Sequence, residues 1–293
     1  MHPSTPLVTT EWLAEHLDDP DLVVCDCRFV GTPEASRAAY LSGHIPSAIH
    51  VYWLDSLCTA DTTVTSFLPT ADEAARRLGA LGIGPDTFVV GYVEAGGSYA
   101  ARLWHVLAHF GHPRVSLLDG GIDKWIAEDR PVDRKDVPAT PAAPYPARPA
   151  NGALRITSDE LRARLDDPTL RIVDVRTPAE YAGEQRRAAR GGHIPGAIPL
   201  PWDGDLRADG TLRAADDIAG RAAAAGLQPD AEIATYCQGG VRAAHAALAL
   251  RLAGYRNVRV YDGSWAEWGN NQALPIEQPL MPVAGRAPAP RRR

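Results

Sequence analysis

Cysteine is scarce in this chain: four in 293 residues, at positions 25, 27, 58 and 237. That is too few for a disulfide scaffold, and with no export signal the thiols are expected to be reduced. Cys25-x-Cys27 is not the Cys-x-x-Cys of a metal or redox pair. Both read as ordinary strand residues, and no metal or organic cofactor is implied. Long apolar runs are missing too. None approaches the ~18 residues that cross a bilayer as a helix, so no membrane partner is expected. The opening Met1-His2-Pro3-Ser4-Thr5 has neither the basic start nor the apolar core of a secretory leader, so a cytoplasmic location is expected. Positive charge is not in excess: 30 Lys and Arg stand against 36 Asp and Glu, a net charge of −6. This argues against nucleic acid as a partner, and the terminal Arg291-Arg292-Arg293 reads as a solvated tail.

What the chain has is a hydrophobic content of 45%, enough for real cores, and a length that suits two domains. Those domains are copies of one another. Asp26-Cys27-Arg28 recurs as Asp174-Val175-Arg176, and Gly43-His44-Ile45-Pro46-Ser47-Ala48-Ile49 as Gly192-His193-Ile194-Pro195-Gly196-Ala197-Ile198. Asp119-Gly120-Gly121-Ile122-Asp123-Lys124-Trp125 recurs as Asp262-Gly263-Ser264-Trp265-Ala266-Glu267-Trp268. The expected layout is an N-terminal domain over 1–128, a proline-rich linker over 129–153, a C-terminal domain over 154–281 and a disordered tail over 282–293.

Within the second copy, strands alternate with helices. The pattern predicts strands over 170–175, 233–236 and 258–261, and helices over 158–165, 178–182, 216–225 and 243–252, with a helical turn over 264–268. The 170–175 segment lacks polar alternation, the mark of a strand buried on both faces. The fold class is therefore α/β: two domains, each a largely parallel sheet flanked by helices. In such sheets ligands bind at the carboxyl ends of the strands, where Cys237 and Arg176 both fall.

Cys237 heads the segment Cys237-Gln238-Gly239-Gly240-Val241-Arg242, between a predicted strand and a predicted helix. The glycines let successive backbone N–H groups turn inward as a nest, and the helix N-terminus adds its positive end. The loop is built to hold an anion, and the same field favours the thiolate that attacks. An arginine at a helix N-terminus is unfavourable by itself, so Arg242 implies an anion beside it. Arg176 either binds that anion or pairs with Asp174 or Glu180. The matching loop of the first copy has Glu94 in place of Cys237 and Tyr99 in place of Arg242, and is expected to be inactive. His44 and His193 occur in both copies, so their duty is expected to be structural.

In order, these motifs resemble the tandem-domain rhodanese family of sulfurtransferases over about residues 7–281. The resemblance implies a catalytic C-terminal domain, with Cys237 as the nucleophile that carries a persulfide and Arg176 as the donor-binding arginine. The partners implied are a small anionic sulfur donor and a thiophilic acceptor such as cyanide or a thiol, or else a protein sulfur acceptor. Arg242 and the loop residues Gln238, Gly239, Gly240 and Val241 are the further candidates for donor binding. Some family members have a lysine or a serine at the third loop place and a threonine at the sixth. Here these are Gly239 and Arg242. Bacterial thiosulfate enzymes often carry an arginine at that sixth place, and the dianion thiosulfate is the expected donor. The alternative donor is 3-mercaptopyruvate, a monocarboxylate that must shed a thiol proton. A phosphatase or arsenate reductase of the same fold would need Cys-x5-Arg, whereas Cys237 and Arg242 form Cys-x4-Arg, a ring better suited to one sulfur atom. A non-catalytic binding module would not need Cys237.

Overall fold

The structure is a computed structural model that describes residues 5–60, 64, 66–95, 97–142, 145–146 and 152–278. The first unit contains strands β1 (Leu7–Val8), β2 (Leu22–Asp26), β3 (Ile49–His50), β4 (Phe88–Tyr92) and β5 (Val115–Leu118). Its helices are α1 (Thr10–His16), α2 (Pro33–Ser42), α3 (Trp53–Ser56), α4 (Ala71–Ala80), α5 (Tyr99–His109) and α6 (Gly121–Ala127). The second unit has strands β6 (Leu170–Asp174), β7 (Ile198–Pro199), β8 (Glu232–Tyr236) and β9 (Val258–Val260). Helices α7 (Ser158–Ala163), α8 (Pro178–Tyr181), α9 (Ala215–Ala224), α10 (Val241–Leu252) and α11 (Ser264–Trp268) surround them.

Every strand pairing is parallel, in the orders β1-β5-β4-β2-β3 and β7-β6-β8-β9. The expected α/β plan is thus the observed one, with ends that differ by a residue or two. Local signals explain the helix starts. Thr157 and Thr177 each close a capping box, with Glu160 and Glu180 respectively, which satisfies the first free N–H groups of α7 and α8.

The repeated motifs do the same job in both units. Tyr92 Oη donates to Asp26 Oδ2 at 2.8 Å and Tyr236 Oη to Asp174 Oδ2 at 2.6 Å. Arg28 Nη2 reaches Gly43 O at 2.8 Å and Arg176 Nη2 reaches Gly192 O at 2.7 Å. The Asp-x-Arg and Gly-His-Ile segments therefore lock each other at the carboxyl edge of each sheet. His44 and His193 stack on Tyr40 and Tyr181, with ring centroids 4.0 and 3.7 Å apart, and each Nδ1 meets the carbonyl of that tyrosine. Both have the structural surroundings expected of them. Cys25, Cys27 and Cys58 are buried in the first unit's core.

The units meet through α5 and α10, the helices that follow the two loops. Val241, Ala244 and Leu248 of α10 belong to the same apolar cluster as Leu103 and Leu107 of α5, so the two units share a core. Past α6, the chain runs along the first unit: His44 and Asp133 exchange backbone hydrogen bonds, and Val137 N donates to Tyr40 Oη at 3.0 Å. The tail expected over 282–293 lies outside the described residues, as do parts of the linker. Among the described residues no helix is long and apolar enough to cross a membrane, and no group of three or more His, Cys, Asp and Glu is placed to hold a metal ion.

Candidate active site

Cys237 directly follows β8, the strand between β6 and β9, and its residue is 1% exposed. The loop after it is braced from behind by the start of α11. Ser264 Oγ accepts from Cys237 N at 3.1 Å and donates to Tyr261 O at 2.7 Å. Trp265 N and Ala266 N donate to the carbonyls of Cys237 and Gln238 at 3.0 and 2.9 Å. Holding Ser264 there puts its φ at +51°, an uncommon conformation for a side-chain-bearing residue.

With those carbonyls drawn back to α11, the N–H groups from Gln238 to Ala243 have no protein acceptor among the described residues. They are the donors that the expected anion cradle would use. Gly240 completes it at φ +79°, and a Cβ there would come within 2.9 Å of Asp262 O and 3.1 Å of Arg102 Nη1. Only glycine fits that place.

The candidate side chains separate into different duties. Arg242, in the first turn of α10, forms a two-pronged pair with Glu180: Nη1 to Oε2 at 2.7 Å and Nη2 to Oε1 at 2.9 Å. Burial pushes the Glu180 carboxyl up, but hydrogen bonding and charge from Arg242 outweigh it and hold the group at about 2. The anion that Arg242 required is a protein carboxylate. Burial works against the charge on Arg242, yet Glu180 and then Cys237 keep its ionisation above the ordinary arginine value.

Arg176 lies elsewhere. Its side chain is 1% exposed and its Nε and Nη2 are spent on Asp174, at 2.6–3.1 Å, and on Gly192 O. Its guanidinium also covers the Trp265 ring at 4.5 Å. The pairing with Asp174, one of the two expectations for Arg176, is what the structure shows. Val241 is buried in the shared core, so only its backbone faces the loop. Gln238 Nε2 donates to Arg187 O at 2.9 Å. Gly239 faces the first unit: a Cβ there would lie 3.2 Å from both Cβ and Oγ of Ser66.

Residues outside the motifs complete the surroundings. The Arg187 side chain is half-exposed and lies 3.7 Å from Glu180. Burial pushes the Tyr99 phenol up to about 12, with the charges of Cys237 and Glu94 adding to the shift and those of Arg187 and Arg242 opposing it. Tyr99, from the silent loop, therefore shares one electrostatic neighbourhood with the cysteine. A surface cavity of about 940 Å³ lies elsewhere, at the amino ends of β6, β8 and β9 around Arg171, Glu232 and Arg259. It lies at the opposite edge of the sheet from the chemistry expected of a parallel α/β unit.

Known proteins match this arrangement. The rhodanese-like domain family matches residues 9–128 and again 157–271. A thiosulfate sulfurtransferase of Azotobacter vinelandii is 36% identical over 267 residues, covering 90% of this chain and 94% of that protein. A protein of Thermus thermophilus named sulfur carrier protein TtuD is 34% identical over 287 residues, covering 94% of this chain and 97% of that one. The crystal structure of the 3-mercaptopyruvate enzyme SseA from Escherichia coli superimposes with a TM-score of 0.80 at 30% identity, covering 89% of this chain and 99% of that one. The chain belongs to the rhodanese family, as a tandem of two rhodanese-like domains, and is a sulfurtransferase.

Proposed function

We propose that this sulfurtransferase takes the outer sulfur of thiosulfate onto Cys237 and passes it from there to a thiophilic acceptor. The Cys237 thiolate attacks the outer sulfur, a new S–S bond forms, and the bond to the sulfonate sulfur breaks. The electron pair leaves on sulfite, and Cys237 is left as a persulfide. Cyanide or a thiol then attacks the terminal sulfur and returns the thiolate. The chemistry belongs to residues 154–281, and residues 1–128 form a silent copy. A reducing, cytoplasmic setting suits a free nucleophilic thiol.

The observation that carries this reading is the run of N–H groups without protein acceptors from Gln238 to Ala243, next to the cysteine. It changes the basis for donor choice. Arg242 and Arg176 are each neutralised by a carboxylate. Charge recognition therefore rests on the backbone cradle, the amino end of α10 and the half-exposed Arg187 at its rim. Such a cradle, sized for one sulfur atom, suits the negatively charged outer sulfur that thiosulfate presents to Cys237. A protein acceptor fits the scheme equally well, since the persulfide sulfur is the group handed over in either case. The test is a side-by-side steady-state assay, with cyanide as acceptor. A higher kcat/KM for thiosulfate than for 3-mercaptopyruvate is expected, and the reverse order would overturn the donor assignment.

A further inference from the structure

Each unit presents a segment to the other unit's loop. Leu68 N donates to Asp262 Oδ2 at 2.8 Å, and Leu212 N donates to Asp119 Oδ1 at 2.9 Å. Asp262 and Asp119 are equivalent in the repeat, so Leu68 and Leu212 are equivalent partners. Two residues before each leucine stand Ser66 and Gly210. The segment that meets the intact loop thus carries a hydroxyl at this position and the other segment carries none there; the hydroxyl of its neighbouring Thr211 is spent on Asp209 Oδ1 at 2.6 Å.

Ser66 is held against the loop from two sides. Arg102 of α5, fully buried, donates from Nη2 to Ser66 O at 2.6 Å and to Leu57 O at 3.3 Å. Asp262 anchors the segment through Leu68, two residues ahead of Ser264, which binds Cys237 N. The Ser66 residue is 4% exposed, and its Oγ has no hydrogen-bond partner among the described residues. A buried hydroxyl without a partner is costly, and such groups call for an explanation in terms of a ligand or a function. Here the hydroxyl lies directly against Gly239 of the cysteine loop, where even a Cβ would come 3.2 Å from Ser66 Oγ.

We propose that Ser66, supplied by the silent copy, is the hydroxyl of the sulfur-donor site, and that it donates a hydrogen bond to the group that leaves when Cys237 takes the sulfur. For thiosulfate that group is sulfite. The hydrogen bond stabilises the charge collecting on it while the S–S bond breaks, and no proton changes hands. This rests on Cys237 being the sulfur carrier. The third loop position can be glycine because its polar function comes across the domain interface.

The experiment separates the two half-reactions in the full-length protein: wild type, Ser66→Ala and the double variant Ser66→Ala/Gly239→Ser. Loading is followed in single turnover with thiosulfate, by sulfite release and by the mass of Cys237, and is repeated with 3-mercaptopyruvate. Discharge is followed by adding cyanide to the loaded enzyme. Ser66→Ala is expected to slow loading about tenfold or more and to leave discharge within about twofold. Its melting temperature should be equal or higher, because an unpaired hydroxyl has gone. The double variant moves the hydroxyl to the loop side of the same contact and should recover part of the loading rate. Loading within about twofold of wild type in Ser66→Ala, equal slowing of both half-reactions, or a lowered melting temperature would overturn the inference. If wild type gains no sulfur at Cys237 from either donor, the underlying reading falls and takes the inference with it.

Discussion

Arg242 and Glu180 meet through two hydrogen bonds, 2.7 and 2.9 Å long, 62 residues apart in sequence. The pair ties the first turn of the helix behind Cys237 to the short helix α8, beyond the edge of β6. Removing either partner leaves a buried charge without its counter-charge, so Glu180→Ala and Arg242→Ala should each cost about 2 kcal/mol of stability. Their effects should not add. A double-mutant cycle on urea denaturation is expected to show coupling of about 1 kcal/mol or more, and additive losses would refute the pairing.

The same pair sets an acid limit. The folded-state value for Glu180 is depressed, at about 2 against an ordinary 4.5. Its contribution is therefore complete above about pH 4.5 and is lost as the pH falls towards 2. Melting temperature plotted from pH 5 to pH 2 should fall less steeply in Glu180→Gln than in wild type. Parallel curves would show that the carboxylate does not titrate with folding.

Thiosulfate alone should add about 32 Da, one sulfur atom, at Cys237. The other three cysteines should stay unmodified. Burial pushes the Cys25, Cys27 and Cys58 thiols up, away from the reactive thiolate form. Peptide mass mapping after donor treatment gives the answer directly, and Cys237→Ser with full activity would end the persulfide mechanism.

Arg176 and Arg28 occupy the same place in the two units, and only one of those units has a cysteine loop. If Arg176 is architectural, Arg176→Ala and Arg28→Ala should lower the melting temperature to a similar extent, with losses of about 3 kcal/mol for breaking a buried pair. Arg176→Ala with an unchanged melting temperature and a raised KM for thiosulfate would restore it to the donor site.

Glu94 stands where the nucleophile would be in the first unit, and Glu94→Ala should leave turnover close to wild type. Residues 154–281 expressed alone should be poorly soluble and weakly active. They would lose the core shared by α5 and α10 together with Ser66 and Arg102. A soluble fragment with full turnover would contradict both points.

The architecture was legible because it is written twice, and because capping residues and uniformly apolar strands mark the elements. The cysteine loop was legible for a local reason: strand, Cys, two glycines and helix follow one another directly. Arg176 was expected either to bind the donor or to pair with Asp174 or Glu180, and the structure shows the Asp174 pair. The comparison that set His44 and His193 aside as structural applies equally to Asp26-Cys27-Arg28, since it too recurs in the copy without a nucleophile. Glu180 was legible only as a possible partner of Arg176, and nothing in its spacing pointed to Arg242, with which it in fact pairs. Ser66 and Arg102 left no sequence signal. Their place depends on how two sheets dock, and no spacing along one chain encodes that.

The reciprocal contacts of Leu68 with Asp262 and Leu212 with Asp119 bear on how such a protein can change over time. Each unit leans on the equivalent aspartate of the other, so a change on one side of the interface is felt by the loop on the other side. Substitutions at residues 57–60, 66–68 and 102 should therefore behave in a mutational scan like changes at the nucleophile's own doorstep, although they sit in the half without the cysteine loop.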